Sequence, residues 1–112
     1  MPCIMIRTRK PDCKFDIKGF GQELSRQMGI EVGRVNIIVD FFDESDVFFG
    51  SEADSLIITL YVSEANDECF NKLLVQTIAA LAEKHFCKEK KHIAVMCNLI
   101  REGHMFLDNQ FK

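Results

Sequence analysis

Two segments of this chain are apolar on both sides of an extended strand, and that limits its architecture more than any other feature. In residues 56–62, Leu56, Ile58, Leu60 and Val62 share one side, while Ile57, Thr59 and Tyr61 share the other. In residues 93–99, Ile93, Val95, Cys97 and Leu99 are backed by Ala94, Met96 and Asn98. Strands of this kind are buried on both faces of a sheet. At 112 residues the chain is one domain's worth of protein, so material to cover two faces is scarce.

The rest of the pattern shows how scarce. Residues 3–9 alternate, with Ile4 and Ile6 opposite Cys3, Met5 and Arg7, and Pro11-Asp12 closes this first strand with turn chemistry. Ile17, Phe20, Leu24 and Met28 recur at helical steps over residues 16–28, with Gly29 placed as a C-terminal cap and Gly19 and Gly21 as weakening interruptions. Residues 34–42 alternate again, Val35, Ile37, Val39 and Phe41 against Asn36, Ile38, Asp40 and Phe42. Residues 63–68 supply capping groups for a second helix, whose stripe runs through Phe70, Leu73, Leu74, Thr77, Ile78, Leu81 and His85. Lys88 to Lys91 form a solvated turn before a fourth strand over residues 92–100. The order is β-α-β twice. It predicts a single α+β domain over 1–112, built from tandem pseudo-repeats of about 1–52 and 53–112, with a four-stranded mixed sheet and both helices on one face. Two helices cover one face. A second copy of the chain is then expected to cover the other, since an apolar face left in water is a site of association.

Charge and cysteine content narrow the class. Fourteen Lys plus Arg against seventeen Asp plus Glu leave a formal charge of −3, unlike a nucleic-acid module with its basic stripe. No apolar run approaches the ~20 residues of a membrane span, and no secretory pattern opens the chain. A cytoplasmic protein without nucleic-acid or membrane partners is the expectation. Five cysteines, an odd number without a Cys-x-x-Cys pair, suggest reduced thiols rather than a disulfide framework. His85, Cys87, His92 and Cys97 are close in sequence but lack the spacing of a zinc module, so no metal or cofactor is expected.

Two architectures fit this order: a ferredoxin-like sandwich acting as a ligand-binding module, and a second that the residues themselves resemble. The chain opens Met1-Pro2-Cys3-Ile4, ends its first helix at Gly29, resumes a strand at Val35, and carries Phe49-Gly50-Ser51 before the third strand. It closes with Phe106-Leu107-Asp108-Asn109-Gln110-Phe111. Across essentially the whole chain this pattern resembles the tautomerase superfamily, in the long form typified by macrophage migration inhibitory factor. Its tail and third strand are more similar to an uncharacterised bacterial branch.

The resemblance implies a homotrimer whose sheets wrap into a central barrel, with the tail reaching a neighbour's sheet edge. It also implies Pro2 as general base in proton transfer on small enolisable keto acids, with Ile4, Val62 and Phe106 among the apolar walls and the Val62 backbone contacting substrate. With Met1 attached, the Pro2 nitrogen is a tertiary amide without a basic lone pair. With Met1 removed, it is a secondary amine, and a free α-amino group titrates near ~8 before any burial. The chain departs from the migration-inhibitory-factor group in having Ile30 where a lysine follows the helix-ending Gly, and Ile93 and Val95 at the positions counted to a tyrosine and an asparagine. Arg7, Arg34, Arg101 and His104 are the substitutes able to bind a carboxylate. Arg101 and His104 lie on the tail expected to approach a neighbour's Pro2. The rival reading is a trimer that keeps the fold without the chemistry.

Overall fold

A computed structural model of the chain describes residues 2–51 and 54–112. Met1 and the junction expected between the two repeats, at residues 52 and 53, lie outside the described residues. Strand β1 (Cys3–Thr8) leads to helix α1 (Ile17–Met28) and strand β2 (Asn36–Phe41). Strand β3 (Leu56–Ser63) leads to helix α2 (Glu68–Phe86) and strand β4 (Ile93–Ile100). The sheet order is β2-β1-β3-β4, with β1/β2 and β3/β4 parallel and the central pair β1/β3 antiparallel. Each β-α-β unit therefore keeps its two strands side by side. A ferredoxin-like sheet splits them with an intervening strand, so that alternative is excluded.

Parity decides which residues go inside. Ile4, Ile6 and Thr8 of β1 and Leu56, Ile58, Leu60 and Val62 of β3 lie on one face and are buried. Phe20 and Leu24 of α1 and Leu74, Ile78, Leu81, Ala82 and Phe86 of α2 close over that face. Helix α1 begins where the Asp16 carboxylate accepts the Gly19 N–H at 2.9 Å. A Cβ at residue 19 would stand 2.5 Å from that carboxylate, so the glycine that weakens the helix by propensity is what admits its cap. The buried stripe of α2 is rotated from the expected one: Leu73 is 53% exposed, whereas Asn71, Ala82 and Phe86 face inward. Asn71 is a buried polar group at the start of α2. Its amide donates to the Ser63 carbonyl (3.4 Å), and its side-chain oxygen accepts from the Asn66 amide (3.1 Å).

The opposite face is open. In register across the four strands run Ile38, Met5, Thr59 and Met96, flanked by a row of Asn36, Cys3, Tyr61 and Asn98. Ile38 and Met96 are more than half exposed. The surface of the chain is 7562 Å², against about 6,300 Å² for a compact monomer of this mass. The excess is of the size one partner gives up in a stable interface.

The tail forms a small hairpin within the chain, β5 (Phe106–Leu107) against β6 (Gln110–Phe111). Asp108 and Asn109 both have positive φ, 55° and 58°, as a two-residue type I′ turn requires. Its aromatic residues meet each other at 4.9 Å between ring centroids and stay largely exposed.

The expectation of five reduced thiols is corrected. A disulfide joins Cys13, in the loop before α1, to Cys87, the left-handed residue that ends α2, while Cys3, Cys69 and Cys97 are free. The two lie 74 residues apart, a separation that spacing patterns do not reveal but that packing the helices side by side brings together. A crosslink over that span is worth about 4 kcal/mol in the chain-entropy picture. The helices also share an ionic contact: the Glu23 carboxylate on α1 receives Lys84 Nζ at 3.0 Å and His85 Nε2 at 3.3 Å from α2. Hydrogen bonding from Lys84, opposed by partial burial and aided by His85, holds the Glu23 carboxyl below its ordinary pKa. No helix among the described residues is long and apolar enough to cross a membrane.

Because the Glu23 pKa is lowered on folding, its stabilising contribution is present above the unfolded value and lost as pH falls through the folded one. Thermal melts should show Glu23→Gln less stable than wild type at neutral pH, with the gap closing in acid. A gap that persists unchanged in acid would assign the loss to packing instead. Asn71→Leu should lower stability by about 1–3 kcal/mol in urea titrations, because the Ser63 carbonyl loses one of its two donors and the Asn66 amide loses its acceptor.

Candidate functional site

The first strand starts at the mouth of a cleft. One residue beyond the last β1/β3 pair, Cys3 with Tyr61, Pro2 stands opposite Val62 on the helix-facing side. The Pro2 ring is buried, and its carbonyl accepts the Asn36 N–H at 3.2 Å, which ties it to the start of β2. Around it lies a cleft of about 340 Å³. Val62, Phe70 and Leu74 form its apolar wall, and Gly29, Ile30, Glu31, Arg34 and Asn66 complete it.

Three local structures hold this arrangement. Helix α1 stops at Gly29, whose φ of 66° fits a glycine C-cap, and the Ile30 N–H turns back to the Ser25 carbonyl at 3.1 Å. The Ser25 hydroxyl donates to the Ile30 carbonyl, fixing the exit of the chain. A single tight helical turn, Val32–Arg34, follows, and the Arg34 N–H donates to the Glu31 carbonyl at 2.9 Å. On the far wall, the Asn66 N–H donates to the Ser63 carbonyl at 3.3 Å, and the Asn66 amide donates to Asn71, so the loop between β3 and α2 is held from the core side.

Electrostatically the cleft sets one apolar wall beside Pro2 against a larger share of polar and charged surface from Glu31, Arg34 and Asn66. Arg34 and Glu31 are both exposed there, and Arg34 takes part in no ion pair among the described residues. A guanidinium in this position is free for a bidentate contact with a ligand carboxylate. An amine on the floor would be disfavoured in its charged form by the apolar wall.

The structure brings Pro2 and Val62 together within one chain. Arg101 lines an adjoining cavity of about 340 Å³ with Arg34 and Lys112. His104 lies in the exposed turn before the hairpin, where its N–H donates to the Arg101 carbonyl at 3.0 Å. Arg7 belongs to a separate cavity of about 550 Å³, with Asp40, Phe42 and Phe49, on another part of the sheet. Ile4 lies in the core rather than on the cleft wall, and Phe106 is on the hairpin of the tail. Ile93 and Val95 pack beneath the helices, because the β3/β4 register places them beside Leu56 and Ile58. Ala94, Met96 and Asn98 are the residues of β4 on the open face.

Arg34 is the residue that sequence alone undervalued. It stood among four possible cations, and only the turn after Gly29 shows that it reaches the proline cleft. Asn66, Phe70 and Leu74 were visible as loop and helix residues, with no sequence signal tying them to Pro2. Of the four residues once weighed as a zinc cluster, His85 is engaged with Glu23 and Cys87 is in the disulfide. Burial raises the pKa of the Cys97 thiol, which lines a neighbouring groove with Asn66.

No protein-family model and no curated protein sequence matches the chain. Solved structures do match over nearly all of it. A wild-type fused 4-OT in a symmetric trimer superposes with a TM-score of 0.81 at 12% identity, covering 97% of this chain and 96% of that one. Pt0534 inactivated by 2-oxo-3-pentynoate gives 0.77 at 9% identity, covering 96% and 93%. The macrophage migration inhibitory factor of Oncomelania hupensis gives 0.75 at 6% identity, covering 97% and 95%. At these identities the likeness speaks for the fold, and the resemblance carried by the opening proline, the two β-α-β units and the tail agrees with it: the chain has the tautomerase-superfamily fold.

Proposed function

We propose that this chain is a proton-transfer enzyme for small enolisable keto acids, working as a homotrimer with Pro2 as general base once Met1 is removed. One observation carries the reading: Pro2 is buried in a cleft whose rim holds Arg34, an arginine with no ion pair among the described residues. Removal of Met1 turns the Pro2 nitrogen into a secondary amine. Its apolar surroundings disfavour the ammonium, so the neutral base is available near neutral pH. Arg34 holds the substrate carboxylate and sets the enolic end against Pro2. The amine accepts the enol proton and returns a proton to the adjacent carbon, so the reaction is an internal isomerisation without redox change or cofactor. The Val62 backbone flanks the substrate. In the trimer, Arg101 and His104 of a neighbouring copy approach the cleft from outside.

The open sheet face supports the trimer. Ile38, Met5, Thr59 and Met96 form an apolar row, and the fused 4-OT structures of this fold are themselves trimers. Wrapped around a common axis, three such faces cover one another.

Intact mass of natively produced protein should show loss of Met1, and the processed protein should ketonise simple enolised α-keto acids. Pro2→Gly should reduce kcat by about 10²–10⁴-fold, the usual contribution of a positioned base. Arg34→Ala should raise KM by about 10–100-fold, as expected for one charge-assisted contact. Treatment with 2-oxo-3-pentynoate should place a single adduct on Pro2. Retained Met1, or a rate indifferent to Pro2→Gly, would leave a trimer without this chemistry. Light scattering should give three chains per particle, and Met96→Glu should shift the population toward monomer by placing a charge in the covered face. A stable wild-type monomer would remove the trimer.

A further inference from the structure

The far end of β1 carries a second chemical feature, unrelated to the proline cleft. Pro2 precedes β1, whereas Arg9 follows its last residue, so the two ends are about 20 Å apart at the rise of an extended strand. Around Arg9 lies a cleft of about 290 Å³ that contains both sulfur-bearing residues of the disulfide, Cys13 and Cys87. Three cations, Arg9, Lys10 and Lys88, and two carboxylates, Asp12 and Asp54, line it among the described residues, and Glu44 stands 3.9 Å from Arg9, so Lys10 is the one of the three cations with no ion pair among the described residues. Asp54 is engaged by Arg9 at 3.3 Å and by Lys88 at 3.2 Å, while Lys10 is exposed. Cys87 is exposed and Cys13 half-buried, with its sulfur 3.9 Å from the His85 carbonyl. Cys87 also holds a left-handed backbone, φ 54°, at a helix end where glycine is the usual residue.

We propose that Cys13 and Cys87 form a redox-responsive site, opened by thiol–disulfide exchange with small anionic thiols that the exposed Lys10 beside it attracts. A thiolate attacks the sulfur of Cys87, the more exposed of the two residues, the Cys13–Cys87 bond breaks, and Cys13 departs as a thiolate beside the cleft cations. A second thiol then attacks the mixed disulfide on Cys87. The sum is one protein disulfide plus two small thiols giving two cysteine thiols and one small disulfide, a two-electron, two-proton exchange. The covalent link between the loop before α1 and the end of α2 is thereby made or released, and the Pro2 cleft at the other end is left in place. Only Cys13 and Cys87 take part; Cys3, Cys69 and Cys97 stay reduced.

The test is a set of reduction rates on the intact wild-type protein. Protein equilibrated with oxidised glutathione and then denatured and alkylated should block three cysteines, with a crosslinked peptide pair containing residues 13 and 87. Alkylation of all five would overturn the proposal. At low ionic strength, reduced glutathione, neutral mercaptoethanol and cationic cysteamine are compared, each rate divided by that on a small-molecule disulfide at equal thiolate. Glutathione should be favoured over cysteamine several-fold, and Lys10→Glu should reverse the order without altering the fold. Rates independent of thiol charge in both proteins would show that the cleft does not select. Tautomerase assays on the same samples keep the outcome separate from the role of Pro2.

Discussion

The antiparallel pairing of β1 with β3 is the interaction from which the rest of the molecule follows. It joins two parallel β-α-β units at the centre of the sheet and sets Ile4 beside Leu60 and Ile6 beside Ile58. That register puts the most apolar residues of both units on one face, where the two helices meet over them. It also places Pro2 across from Val62 at the edge of the core. A shift by one residue would turn Ile4 and Ile6 toward the open face and move the proline out of its cleft. Stability and site geometry are therefore consequences of the same ladder.

The two helices are sufficient for one face of the sheet and no more. The second face stays open on a single copy, whose surface is larger than a compact monomer of this mass keeps. The aromatic hairpin at the end of the chain is exposed as well, since Phe106 and Phe111 meet edge to face while leaving much of their surface in water. A fold of this kind couples assembly to the site, because the open face begins at Cys3, next to the proline.

Strand and helix identities were largely legible because alternation and three- and four-residue steps are local properties of the chain. The β-α-β order, the Gly29 stop and the mixed sheet with helices on one face are in the sequence for that reason. The rotation of α2 was not, since Leu73 and Asn71 exchange their expected environments through the way the helix settles on β3 and β4. The hairpin carried a signal that alternation alone passes over: two residues, Asp108 and Asn109, both tolerant of positive φ. The Cys13–Cys87 link and the Glu23 contact with Lys84 and His85 depend on packing α1 against α2 and have no local signature.

The sequence by itself determined the apolar parity of four strands, the stripe of the first helix, the closing glycine and the presence of a proline directly before the first strand. These are properties of residue type and spacing, which short-range sterics and hydration translate into local structure. Only the tertiary structure decided that Arg34 shares a cleft with Pro2 while Arg7 does not. It also decided that Ile93 and Val95 pack, half-buried, against the core, and that two cysteines far apart in the chain meet. Each of those outcomes rests on strand register and on helices packed side by side, which bring together residues whose distance along the chain says nothing about their distance in space.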